Sequence, residues 1–98
     1  MKLRIVSAAE RDLRSIAAHI ARDNPPRARS FVRELNDKIR KVAAQPLIYP
    51  PKEEWGEGLR SAVHRNYQII YRLDSDMVVV LRVLHGAQDA GLLLKDPQ

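Results

Sequence analysis

Cysteine is absent from this chain of 98 residues. That excludes a disulfide scaffold, a thiolate zinc site and a cysteine nucleophile, and it is compatible with a reducing compartment. Also missing is any apolar run near the ~18 residues that would span a bilayer. The opening Met1–Val6 carries Lys2 and Arg4 with no apolar stretch behind them. It is therefore not read as a secretory signal, and a cytoplasmic location with no membrane contact is expected. No glycine-rich phosphate loop, His-Glu-x-x-His or Gly-x-Ser-x-Gly pattern occurs. Asp74 and Asp76 fall far short of a calcium loop. No metal, cofactor or small-molecule substrate is expected.

What is present fits one domain over residues 1–98. Hydrophobic residues make up 45% of it, enough to fill a modest core. The net charge of +5 is unevenly placed. Residues 1–46 hold eleven Lys/Arg against five Asp/Glu, a balance of +6; residues 47–98 hold six against seven, a balance of −1. A positive field on one half favours an acidic partner, either a nucleic acid or an acidic protein segment, although a solvated helix face would read the same way.

Alternation around Leu3 and Ile5 predicts a strand over 2–6. Ser7 with Glu10 has capping-box spacing, opening a helix over 8–22 whose stripe is Ala9, Leu13, Ile16, Ala17 and Ile20. Asn24-Pro25 ends that helix and caps a second over 25–45, with Ala28, Phe31, Val32, Leu35, Ile39 and Val42 as its stripe. So short a link makes the two an antiparallel α-hairpin. Pro46–Trp55 reads as irregular, with Tyr49 and Trp55 either anchoring it on the core, the more common outcome, or forming a binding patch. Strands follow over 59–65, 67–73 and 77–84, reversing at Asn66 and at Asp74-Ser75-Asp76. The third is apolar at consecutive positions, hence central and covered on both faces. The tail, 87–98, retains Leu92-Leu93-Leu94 and is expected to fold back or to bind a partner. The fold class is α+β: an N-terminal strand, an antiparallel α-hairpin, then a three-stranded antiparallel meander.

Arg60, Arg65, Arg72 and Arg82 all fall in the predicted sheet strands, with His64 and His85 nearby. Neighbouring strands can bring such residues together to hold phosphate or carboxylate. They could also support RNA cleavage, with His or Tyr as base and acid and Arg stabilising the phosphorane. Against this, strand arginines often pair with carboxylates, and a histidine at a strand end is more often structural than catalytic. Tyr67 and Tyr71 share a face with Ile69 and read as core.

The order and spacing of four segments resemble the ParE/RelE superfamily of small bacterial toxins, the ParE branch in particular. They are Ser7-Ala8-Ala9-Glu10-Arg11-Asp12-Leu13, Ile20-Ala21-Arg22-Asp23-Asn24-Pro25, Gly58-Leu59-Arg60, and the paired runs Tyr67–Arg72 and Val80–Asp89. The resemblance implies a β-α-α-β-β-β fold and the toxin role of a type II toxin–antitoxin system. For ParE-like members it further implies inhibition of DNA gyrase by protein contact and neutralisation by a cognate, ParD-like antitoxin with an acidic and apolar disordered C-terminal segment. RelE-like members, ribosome-dependent mRNA endonucleases, generally carry several Lys/Arg on the sheet and a basic or tyrosine residue near the C-terminus. Here the three meander strands have no lysine and the tail after His85 offers only Lys95, so this alternative ranks second and no catalytic residue is assigned. Gln88 departs from the arginine that often precedes the final Asp in ParE-like chains. The expected target-binding residues are Arg60, Arg65, Arg72, Arg82 and His85; the expected antitoxin-binding residues are Arg33, Arg40 and Lys41.

Overall fold

Extended backbone at the N-terminus passes into two amphipathic helices that have one apolar stripe each, and both stripes are buried against a sheet. The computed structural model describes residues 1–86, 88 and 90–95. It runs β1 (Lys2–Ile5), α1 (Ser7–Ala21), α2 (Pro25–Ala44), a 3-10 turn at Glu53–Trp55, β2 (Arg60–His64), β3 (Tyr67–Asp74), β4 (Met77–His85) and α3 (Ala90–Lys95). The sheet order is β1-β4-β3-β2. The meander β2-β3-β4 is antiparallel as expected, whereas β1 lies parallel to β4, so the sheet is mixed. The α-hairpin between β1 and β2 is the connection that lets β1 run in that direction.

The expected capping box does not form. The Val6 N–H donates to the Val80 carbonyl at 3.1 Å, which carries the β1–β4 ladder one residue past the strand. Val6 then becomes the extended cap residue, no side chain caps α1, and Ser7 enters the first helical turn. At α2 the expectation holds. The Asn24 side chain accepts from the Arg27 N–H at 3.1 Å, and proline fills the first positions, where no N–H is missed.

The hairpin covers one sheet face with an apolar core. Ile16, Phe31, Leu35 and Ile39 meet Ala62, Ile69, Tyr71, Val78, Val80 and Val83 there, and Leu13 and Ile20 pack at its margin. The Tyr71 hydroxyl donates to the Pro46 carbonyl, and burial pushes its pKa up to about 12. On the opposite face a smaller cluster joins Leu59, Ile70, Leu84 and Ala90, with Trp55, Leu81, Leu93 and Leu94 packed around it. β4 is thus central and covered on both sides. Within the tail, Ala90–Lys95 folds back as α3; Ala87, Asp89 and residues 96–98 lie outside the described residues.

Two further differences bear on the site. The segment expected to be irregular holds the 3-10 turn and a bridge from Pro51 to Arg60, so it lies along the outer edge of β2. The expected strand 59–65 is shorter at both ends. Arg65 occupies the β2–β3 turn with φ 54°, and Leu59 precedes the strand. The strands expected over 67–73 and 77–84 each run one residue longer.

Candidate functional site

Chemistry-bearing side chains collect in two places, one on each face of the sheet. At the open end of the hairpin face, Tyr67 is paired in register with His64 of β2 and His85 of β4. The Tyr67 ring meets His85 edge-on at 5.3 Å, and Phe31 of α2 lies 5.5 Å from Tyr67 and 5.6 Å from His64. Behind them stands Glu34. Its carboxylate accepts from Arg27 Nη1 at 2.5 Å and from Arg65 Nε at 3.4 Å, and its other contact is His64 Nε2 at 2.9 Å. The Arg27 hydrogen bond first, then that of His64, holds the Glu34 pKa down to about 2. Glu34 is therefore a fixed anion at neutral pH, ordering His64 and the β2–β3 turn rather than carrying protons.

The second place owes its existence to a β-bulge. Along β3 and β4 the register runs Tyr71↔Val80 and then Ile70↔Arg82, leaving Leu81 as the extra residue. Simple alternation from Val78 and Val80 would send Arg82 beneath the α-hairpin. The bulge instead returns Val83 to the hairpin core and turns Arg82 to the face of Ile70 and Leu84. Arg72 already lies on that face, and so does Arg4, since both are register partners of Val79. Arg4, Arg72, Arg82 and Arg11 of α1 surround a groove of about 550 Å³. Its floor is aliphatic, formed by Val6, Leu81, Leu93 and Leu94.

Carboxylates order two of these arginines. Arg82 grips Asp12 of α1 through Nε at 2.7 Å and Nη2 at 2.9 Å, and the same carboxylate accepts the Val83 N–H at 2.9 Å. Because β1 has ended at that level, Asp12 caps a stretch of β4 edge that no strand covers. Arg72 makes a bidentate pair with Asp74, at 3.0 and 3.1 Å from Nε and 3.0 Å from Nη2. Arg72 first, and Arg4 by its charge, lower the Asp74 pKa.

The five expected target residues therefore do not converge. Arg60 turns to the hairpin face, where Nη1 donates to the Tyr49 carbonyl at 2.6 Å. Arg65 is in the turn, not in a strand, and His85 closes the aromatic row. Arg72 and Arg82 line the groove on the other side. The expected antitoxin residues Arg33, Arg40 and Lys41 are exposed along α2, with Arg40 3.3 Å from Asp37. Sequence reasoning missed Arg4, Arg11, Asp12 and Glu34 as members of either place. Alternation does put Arg4 opposite Ile5 in β1, a usable signal; the partners of Glu34 depend on tertiary packing alone. Among the described residues no group of His, Asp or Glu is arranged to hold a metal ion, and no helix is long and apolar enough to cross a membrane.

The family profile described as the ParE toxin of type II toxin-antitoxin system, parDE, matches residues 3–90. A chain of the chromosomal ParDE TA system from P. aeruginosa is similar in structure, with a TM-score of 0.77 at 18% identity over 87% of this chain and 95% of that one. At such identity the likeness speaks for the fold. A chain of the toxin–antitoxin complex RelBE2 from Mycobacterium tuberculosis has a TM-score of 0.66 at 27% identity, over 86% of this chain and 95% of that one. No curated protein sequence matches.

Proposed function

This chain belongs to the ParE toxin family of type II toxin–antitoxin systems, and we propose that it acts in the cytoplasm by binding DNA gyrase, with a ParD-like antitoxin as its neutralising partner. The observation that carries this reading is the division of the candidate residues between two sheet faces, where Arg60, Arg72 and Arg82 each already engage a carbonyl or carboxylate. Cleaving RNA requires base, acid and cation around one phosphodiester. Binding a protein requires only that charge and shape be presented. In this reading Arg65 and His85, exposed at the open end of the hairpin face, contact the target. Purified protein is expected to inhibit gyrase supercoiling, and its induction to trigger the DNA-damage response while bulk mRNA stays intact.

The placement of Tyr67 between His64 and His85 favours the second reading, a RelE-like endonuclease, because acid and base candidates stand side by side there. Cleavage of translated mRNA at the ribosomal A site, with gyrase unaffected, would transfer the assignment to it.

For the antitoxin, the surface in question is the exposed face of α2. An acidic, apolar segment that folds on binding would set its acids against Arg33, Arg40 and Lys41 and its anchors along the hairpin. Rim charges of this kind govern association rate more than lifetime. Replacing all three with Glu should slow association severalfold and flatten its salt dependence, with dissociation little changed. An unaltered rate would rule out this surface.

A further inference from the structure

All three histidines of the chain gather at the open end of the hairpin face, although they come from α1, β2 and β4. We propose that the cleft there binds one nucleotide unit of a single-stranded nucleic acid, with the base among the rings and the phosphate on Arg27 and Arg65. This goes beyond both functional readings, because it asks for nucleic-acid binding without cleavage.

The wall of the cleft is rich in rings. His19, Phe31, Tyr67 and His85 line a space of about 370 Å³, which is at the small end for a ligand site. That is room for one base with its phosphate, not for a folded element. Every nucleobase has a π-face, so such rings favour a base whatever the sequence. A base can enter only where it is not stacked in a duplex, hence the single strand. The groove on the α3 face also has arginines, but its described lining contains no ring.

Phosphate is met by guanidinium groups that are set from behind. Glu34 accepts from Arg27 Nη1 and from Arg65 Nε, and the Ser30 hydroxyl accepts a further bond from Arg27 Nη1 at 3.1 Å. Arg27 Nη2 and both Nη nitrogens of Arg65 make no hydrogen bond among the described residues. Arg27 also lies 5.0 Å over the Phe31 ring, which holds it against the ring wall. No carboxylate lines the cleft itself. An arriving phosphate therefore meets donors already placed, and little side-chain freedom is lost.

The rim is tied as well. The Gly86 N–H donates to the Asn66 carbonyl at 2.7 Å, joining the end of β4 to the turn that carries Arg65. The Gln88 side chain accepts from the His85 N–H at 2.7 Å. Charge from Arg65 and a ring from His85 are thus held together at the mouth of the cleft.

The probe is a short fluorescein-labelled oligouridylate, titrated with the full chain and read by fluorescence anisotropy. Beside it stand the same strand annealed to its complement, free UMP as a competitor, and a labelled glutamate peptide. Circular dichroism checks the fold of each variant. His85→Ala should weaken binding of the single strand about tenfold, as loss of one stacked base does, and His85→Phe should restore most of it. Arg65→Ala should weaken binding severalfold and lower its salt slope by about 0.7. Arg40→Ala removes the same charge about 20 Å along α2 from Arg27 and should do little. Equal losses from Arg40→Ala and Arg65→Ala, with His85→Ala silent, would overturn the proposal in favour of general attraction to a basic surface. Equal binding of the duplex or of the glutamate peptide would overturn it too. UMP binding as tightly as the strand would reassign the cleft to free nucleotides, and a cut probe would reassign it to the endonuclease reading. Failure to bind the strand at all would remove this site and leave the gyrase reading standing.

Discussion

The two faces of the sheet are built on different terms. Against the α-hairpin, side chains from α1, α2 and three strands interlock, and Leu35, Ile69, Tyr71, Val78 and Val80 are all 0% exposed. Against α3, four buried residues are ringed by half-buried ones, and an arginine-lined groove opens beside them. A 15-residue and a 20-residue helix can enclose a face; a six-residue helix covers part of one. Stability is concentrated on the first face, and the second keeps apolar and charged surface within reach of a partner.

The strongest way to break that comparison is a matched pair of truncations. Leu35→Ala removes a side chain with no solvent contact and should cost roughly 2–5 kcal/mol, cavity included. Leu93→Ala removes a half-buried one and should cost about 1 kcal/mol, less than full burial would give. Chemical denaturation of both variants measures the difference. Equal losses would mean that α3 belongs to the central core.

Asp12 joins the faces, since it springs from α1 and closes around Arg82 and the Val83 N–H. Both charged side chains are largely covered, at 18% and 15% exposure. Asp12→Ala takes away the acceptor of two Arg82 bonds and of the Val83 N–H and should cost about 1–3 kcal/mol. Asp12→Ala combined with Arg82→Leu should recover part of that loss, because the guanidinium that Asp12 compensates is then gone as well. If the double variant is as unstable as the single one, the carboxylate serves the β4 edge and not the ion pair.

The acid limb of stability separates the faces again. Glu34 on the hairpin side has its pKa lowered from 4.5 to about 2. A carboxylate depressed on folding contributes stability that is present above its unfolded pKa and is lost as pH falls through the folded one. The window is therefore pH 4.5 down to about 2. Glu34→Gln should flatten the fall in melting temperature across it. Asp74→Asn, on the groove side and with the same direction of shift, should do so less, because its single guanidinium partner replaces the three contacts of Glu34. A larger effect at Asp74 would place the pH-sensitive clamp on the groove face.

How much of this could be read in the sequence depended on what each feature requires. Ile16, Phe31, Leu35 and Ile39 were legible because a 3.6-residue period survives any tertiary arrangement, and Asn24 because an N-cap is local chemistry. The direction of β1 was not, since alternation at Leu3 and Ile5 is the same in a parallel and an antiparallel neighbour. Nor was the face of Arg82: one bulge residue inverts everything after it, and neither Leu81 nor its neighbours are residues that mark a bulge. Ser7 and Glu10 had the right spacing for a capping box, but the pull of the β1–β4 ladder on Val6 moved the helix start. The sequence puts Arg65 in a strand because Asn66 reads as the turn-former, whereas the left-handed backbone falls one residue earlier, at Arg65.

That residue supplies the smallest expected effect. Arg65 sits at φ 54°, in the left-handed region, where a Cβ costs roughly 1–2 kcal/mol and glycine costs little. Its compensation is the contact with Glu34, made by a side chain 63% exposed at 3.4 Å, which solvent screening limits to about 0–1 kcal/mol. Arg65→Ala should lose the contact and keep the strain, and so be slightly destabilised. Arg65→Gly loses the same contact but relieves the strain, offset in part by about 0.5–1 kcal/mol of added freedom in the unfolded chain. Glycine should therefore exceed alanine at this position by about 0.5–1 kcal/mol in denaturant midpoint experiments. If alanine matches glycine, the turn relaxes at no cost and Glu34 is not holding it. If glycine also leaves toxicity intact where alanine does, Arg65 presents no charge to the target, and the functional surface shifts toward the arginines of the opposite face.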